Sequence, residues 1–211
     1  MIYFIARNVL RLLFKICFRF RISGSENCPK HGPLIIALNH ASFLDPLIAG
    51  IAAPRPLNFM ARDSLFRNRI FGKILMSVNA FPLRREGADM GAMRAAIDKL
   101  RQGEAVLIFP EGTRSKDGNL GTPRAGIGLL AAMSGANILP CYIKGSIDAL
   151  PRGAIFPRFK KISVYIGRPL QFNVNVSGKD SYMQIAAQVM QAIRELKDNT
   201  QTTLQTDIVK M

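Results

Sequence analysis

The chain has 211 residues, 48% of them apolar, which is ample for one domain with a real core and too apolar for a disordered chain. Its 29 Lys and Arg against 14 Asp and Glu leave a net charge of +15, so an anionic partner is expected: nucleic acid, a membrane surface or a phosphorylated substrate. The absence of Trp and of any basic recognition motif sets nucleic acid aside, and the odd set Cys17, Cys28 and Cys141, with no paired spacing, suits a reducing compartment.

The first segment, "MIYFIARNVLRLLFKICFRFR", is apolar but broken by Arg7, Arg11, Lys15 and Arg19. On a helix this spacing gathers the cations into one stripe and leaves Phe4, Ile5, Leu12, Leu13, Ile16 and Phe20 for an apolar side. Nineteen helical residues reach about 28 Å, close to a bilayer core. Each central cation costs roughly 2.5–3.5 kcal/mol, however, while an apolar residue returns only about 0.3–0.6. Lying in the membrane interface is therefore favoured over spanning it. The competing reading packs this helix on the domain's own core. No uninterrupted apolar stretch or small-residue cleavage site suggests a signal peptide.

Strand and helix signals then alternate. "PLIIALN" (33–39) reads as a buried strand and "PLIAGIA" (46–52) as a helix with Pro46 in its first turn. "LNFMA" (57–61) reads as a strand, "FGKILMSV" (71–78) as a helix and "AFPLR" (80–84) as a short strand. "DMGAMRAAIDKLRQG" (89–103) is the clearest helix, with Asp89 as its cap, an apolar face of Met93, Ile97 and Leu100, and Gly103 as its stop. After it come a buried strand (105–110), a small-residue helix (125–135), strands over 137–145 and 162–167, and an amphipathic helix over 181–196. This order predicts a single α/β domain with a mixed, mostly parallel central sheet flanked by helices. The expected organisation is a membrane-surface helix over 1–22, the domain proper over 23–197, and a loose polar tail over 198–211.

In such sheets function sits beyond the carboxyl ends of the strands. The strand at 34–39 empties into "NHASFLD" (39–45), and the strand at 105–109 into "FPEGTRS" (109–115). His40 and Asp45 are close enough for the carboxylate to orient the imidazole and leave its other nitrogen as a base. The alternative is polar capping at a strand end. Gly112 can adopt a positive φ beside a ligand, and Arg114 can grip a phosphate with two hydrogen bonds. No nucleophile elbow, zinc ligand set, P-loop or dinucleotide fingerprint accompanies them. A base at His40 therefore activates something that arrives, such as a substrate hydroxyl.

"NHASFLD" and "FPEGTRS" together resemble the glycerolipid acyltransferase family, specifically the 1-acyl-sn-glycerol-3-phosphate (lysophosphatidic acid) acyltransferases. Two further blocks follow the family order: "FMARDSLFRNRIFGKILMSVNAFPLRRE", and "ILPCYIKGS" with Pro140. The likeness covers about residues 18 to 170. It implies that His40 is the general base and Asp45 the acid that orients it. It also implies acceptor-site roles for Glu111, Gly112 and Thr113, and phosphate contacts for Arg114, Arg85 and Arg62. Arg84 stands where an Asp is common, and Arg124 where a Lys is frequent. The implied reaction passes an acyl group from acyl-CoA or acyl-carrier protein to lysophosphatidic acid, without a cofactor or metal. Its implied setting is the cytoplasmic face of an anionic membrane, with peripheral or monotopic attachment. Glycerol-3-phosphate or another lysolipid as acceptor, a thioesterase, and a non-catalytic membrane-binding protein stand as alternatives.

Overall fold

The computed structural model describes residues 2–83, 90–172 and 176–209, with side chains from 3 to 200 within those ranges. The seven strands are β1 (Arg21–Ser23), β2 (Leu34–Leu38), β3 (Leu57–Arg62), β4 (Ala80–Leu83), β5 (Ala105–Ile108), β6 (Asn137–Lys144) and β7 (Ser163–Ile166). They form one sheet in the order β1-β7-β6-β2-β5-β3-β4. Every pairing is parallel except β6 with β7, so the expected mixed, mostly parallel sheet is present. β2 and β5, at its centre, are buried along their whole length, as continuous apolar runs covered on both faces should be. β4, the edge strand, tolerates Pro82 because its outer side has no ladder to break.

The helices are α1 (Ile2–Phe18), α2 (Asp45–Ala52), α3 (Arg69–Ser77), α4 (Met90–Arg101), α5 (Gly126–Ser134), α6 (Ser146–Ala149) and α7 (Lys179–Val209). One sheet face carries a core with α1 and α2, built on Phe14, Phe18, Leu34, Ile48 and Ile51. The other carries a core with α4, α5 and α7, built on Ile35, Leu100, Leu130, Ile138 and Val189. Alternation along β2 explains the division: Leu34, Ile36 and Leu38 belong to the first core, Ile35 and Ala37 to the second. Small residues let α5 approach α7 closely. A Cβ on Gly128 would lie 2.1 Å from the carbonyl oxygen of Tyr182.

The two central crossovers run in opposite directions. From β2 the chain passes through α2 on one face to β3; from β5 it passes through α5 on the other face to β6. The carboxyl ends of the adjacent β2 and β5 therefore form a topological switch point, where a crevice opens.

Three features differ from the sequence expectation. β1 is too short for periodicity to reveal, and α6 is a single turn. The α7 backbone runs on to Val209, past Asp198 where a loose tail was expected, because no Gly or Pro interrupts that stretch. Finally, α1 divides its apolar residues between two surfaces. Phe14 and Phe18 are buried against the sheet, as is Phe20 just beyond the helix, whereas Phe4, Ile5, Val9, Leu12, Leu13 and Ile16 are exposed. Phe20 thus leaves the predicted outer face for the core. The cation stripe is divided as well: Arg7 is half-buried and donates to the Ala53 carbonyl at 3.2 Å, at the negative end of α2.

Candidate active site

The site is built from the loops that leave β2 and β5. Asn39 continues the sheet with its side chain. Its amide donates to the Ile143 carbonyl and its oxygen accepts from the Ile143 N–H, at 3.1 and 2.7 Å. The β2 backbone is thereby released into a loop without leaving a gap against β6. His40 follows, half-buried, and its Nδ1 lies 2.9 Å from Asp45 Oδ2. The same oxygen accepts the Ala41 and Ser42 N–H groups at 2.6 and 2.7 Å. Asp45 is fully buried and opens α2, where a carboxylate is favoured by the helix dipole. A turn of five residues thus joins the predicted base to its predicted acid, and Nε2 is the nitrogen left for chemistry. The imidazole is also stacked on Phe109, with ring centroids 3.9 Å apart and planes at 15°.

The second loop holds the first from behind. Glu111 Oε1 accepts the His40 N–H at 3.0 Å, and Ser115 N–H donates to the His40 carbonyl at 2.7 Å. Glu111 Oε2 accepts the Gly121 N–H at 2.8 Å. Glu111 is buried, and desolvation pushes its carboxyl above the usual glutamate range while the two N–H donors oppose that shift. The structure therefore makes Glu111 a clamp between loops rather than a wall of the cavity.

A cavity of about 900 Å³ opens beside His40, between the sheet and α4, α5 and α7. Met60, Leu83, Met93, Ile127 and Leu130 give it an apolar floor, and Arg62, Arg124 and Lys179 supply its charge. Of the predicted residues, His40, Arg62, Gly112 and Thr113 line it; Asp45 and Glu111 stand behind it. Arg114 is not among its lining residues. Its guanidinium carbon lies 3.5 Å from the centre of the Phe43 ring, on the loop that carries His40. Arg85 lies outside the described residues, with Arg84 and Asp89. Gly112 has φ +68°, as its predicted turn requires, and a Cβ there would stand 2.8 Å from Arg124 Cδ. Its own N–H donates to the Phe109 carbonyl at 2.9 Å, so that group is not available to an oxyanion.

Sequence reasoning missed Phe109 as the platform for His40, although it opens the second motif. Lys179 and Tyr182 of α7 also line the cavity. They lie about 140 residues further along the chain than His40, and only the fold brings them there. Among the described residues no three His, Cys, Asp or Glu side chains converge as a metal site requires.

A buried carboxylate, an imidazole and a charged crevice at the switch point of an α/β sheet form an arrangement that can take the proton from a hydroxyl. Residues 19–144 match the family described as Acyltransferase, so the chain belongs to the acyltransferases and is an O-acyltransferase. Over 195 residues it is 28% identical to the 1-acyl-sn-glycerol-3-phosphate acyltransferase of Bacillus subtilis, covering 90% of this chain and 94% of that one. It is 31% identical over 147 residues to the enzyme of the same name from Borreliella burgdorferi, covering 69% and 58%. A chloroplastic 1-acyl-sn-glycerol-3-phosphate acyltransferase of Arabidopsis thaliana is 29% identical over 155 residues, and there the chain spans only 43% of the relative's length. The crystal structure of the 1-acyl-sn-glycerophosphate (LPA) acyltransferase from Thermotoga maritima superposes with a TM-score of 0.70 at 26% identity, over 92% of this chain and 81% of that one.

Proposed function

We propose that this acyltransferase moves an acyl group from acyl-CoA or acyl-carrier protein to the free hydroxyl of 1-acyl-sn-glycerol-3-phosphate, giving phosphatidic acid. One observation carries the reading. The His40–Asp45 pair borders a cavity that has an apolar floor and cationic walls, which suits an acceptor with one acyl chain, one phosphate and one hydroxyl. The names of the relatives support the choice of acceptor.

In this mechanism Arg62 and Arg124 hold the phosphate inside the cavity, and Arg114, stacked on Phe43 of the His40 loop, adds positive charge to that loop. His40 Nε2 takes the hydroxyl proton, and Asp45 supports the imidazolium that forms. The alkoxide attacks the thioester carbonyl, and the transient oxyanion meets the positive lining of the cavity. The C–S bond breaks, and the thiolate takes the proton back from His40. Phe109 offers its ring face to the imidazolium throughout.

The membrane belongs to the same reading. No helix among the described residues is long and apolar enough to cross a bilayer, yet α1 leaves Ile5, Val9, Leu12, Leu13 and Ile16 in water. This outer band lies in the interface of an anionic membrane, where the lipid acceptor and product reside.

The deciding experiment incubates the purified protein with a panel of phosphorylated acceptors and both donor types, and identifies products by mass. Phosphatidic acid from lysophosphatidic acid is expected, and His40→Ala should lose about 10²–10⁴-fold. Thioester cleavage that proceeds at full rate without any acceptor would show a thioesterase instead. Near-wild-type transfer by His40→Ala would remove the mechanism.

A further inference from the structure

Between α6 and β7 stand Ile155 and Phe156, the two most exposed large apolar side chains among the described residues. Ile155, Phe156 and Phe159 are 85%, 81% and 75% exposed. The segment 152–161, "RGAIFPRFKK", also carries Arg152, Arg158, Lys160 and Lys161 and no acidic residue. These side chains are not on a frayed end. Ala154 N–H donates to the Pro151 carbonyl at 3.1 Å, Arg158 N–H to the Ala149 carbonyl at 2.6 Å, and Ile162 N–H to the Phe18 carbonyl at 3.0 Å. The loop is rooted at both ends, and its apolar residues are held outward.

Its position gives the exposure a direction. β6 runs parallel to β2, so the segment that follows Lys144 lies at the same carboxyl end of the sheet as His40. Ser42, two residues after His40, donates its hydroxyl to the Leu150 carbonyl at 2.9 Å. On the other side the Phe159 ring meets Phe18 edge-on, with centroids 5.8 Å apart. The loop therefore bridges the His40 loop and the end of α1, whose outer surface includes Leu13 and Ile16. Contiguous apolar surface of this kind marks an interaction site. The four flanking cations select an anionic occupant. Side chains exposed this far offer no groove to a folded partner and suit insertion into a lipid interface.

We infer that residues 152–161 are a second membrane contact, inserting Ile155, Phe156 and Phe159 into an anionic bilayer beside the active site. This rests on the reading that the enzyme works at such a membrane. The chain contains no Trp, so F156W in the full-length protein is a unique reporter. With vesicles containing phosphatidylglycerol its emission should shift to the blue and be quenched by brominated acyl chains; with phosphatidylcholine alone both effects should weaken. Ile155→Ser with Phe156→Ser should bind the anionic vesicles at least about a hundredfold more weakly, given the transfer energies of the two side chains. Activity on detergent-dispersed acceptor should stay within about twofold, since none of these residues lines the cavity.

Wild-type protein that ignores anionic vesicles would overturn the membrane reading as a whole. Wild-type protein that binds while the F156W reporter stays unshifted and unquenched would overturn the loop alone, leaving α1 as the contact. So would a blue shift produced by acidic carrier protein without vesicles, or self-association in sedimentation that is abolished by Phe156→Ser.

Discussion

Asp45 offers the sharpest test of how the base is held, because three donors converge on one of its oxygens. Consider Asp45→Asn. The Ala41 and Ser42 N–H groups at 2.6 and 2.7 Å repel an amide NH₂ and so draw the Asn oxygen into the place of Oδ2. His40 Nδ1–H keeps its acceptor, and its tautomer is preserved. What disappears is the charge. A hydrogen bond to a charged group contributes about 1.5–3 kcal/mol and a neutral one about 0.5–1.5. The imidazolium thus loses roughly 1–2 kcal/mol of support, or about 5- to 30-fold in rate. Asp45→Ala removes the acceptor altogether. It leaves two amides unpaired at about 1–3 kcal/mol each and His40 unoriented, so its rate should approach that of His40→Ala. The assay is kcat at saturating lysophosphatidic acid in detergent, with circular dichroism as the check on folding. An Asp45→Asn protein that is folded yet as inactive as Asp45→Ala would refute the claim that the backbone amides fix the geometry.

Glu111 predicts a pH signature. Its carboxyl is held above the unfolded value, so as pH falls the native state takes up this proton before the unfolded chain does. Its contribution is fully present below the unfolded glutamate pKa and is lost as pH rises through the folded one. The stability of wild type minus that of Glu111→Gln, from urea titrations, should therefore fall across that window. A flat or rising difference would contradict the burial argument. Gly112→Ala should raise KM for the phosphorylated acceptor more than it lowers kcat, because its Cβ displaces Arg124; steady-state kinetics separates the two. Gly128→Ala should cost about 1–3 kcal/mol in denaturant unfolding, since α5 and α7 must part to admit a methyl group at the Tyr182 carbonyl.

The sheet was legible because β2, β5 and β6 are apolar runs bounded by turn residues, and their order between helical stretches implies parallel pairing. The His40–Asp45 pair was legible because its members are five residues apart and need only a local turn. Other parts depend on contacts made at a distance. Nothing in "FPEGTRS" shows that Glu111 points back at a backbone amide while Gly112 points forward into the cavity. Lys179 reaches the cavity through the packing of α7 on α5, which rests on Gly128 rather than on any motif. The apolar residues of α1 were visible, but not their division between core and solvent, because the partners of Phe14, Phe18 and Phe20 lie on other elements.

The bonds between the loops that leave β2 and β5 also govern when the candidate site can assemble. The His40–Asp45 turn is local and can form early, but the bond from His40 N–H to Glu111 closes a separation of 71 residues. Closing a loop of that length costs chain entropy, which the pairing of β2 with β5 offsets. A chain emerging from the ribosome presents the outer band of α1 long before Glu111 has been synthesised. On the proposed function such a chain is a ligand for lipid first and a catalyst second, and recovery of activity on refolding reports the joining of the central strands.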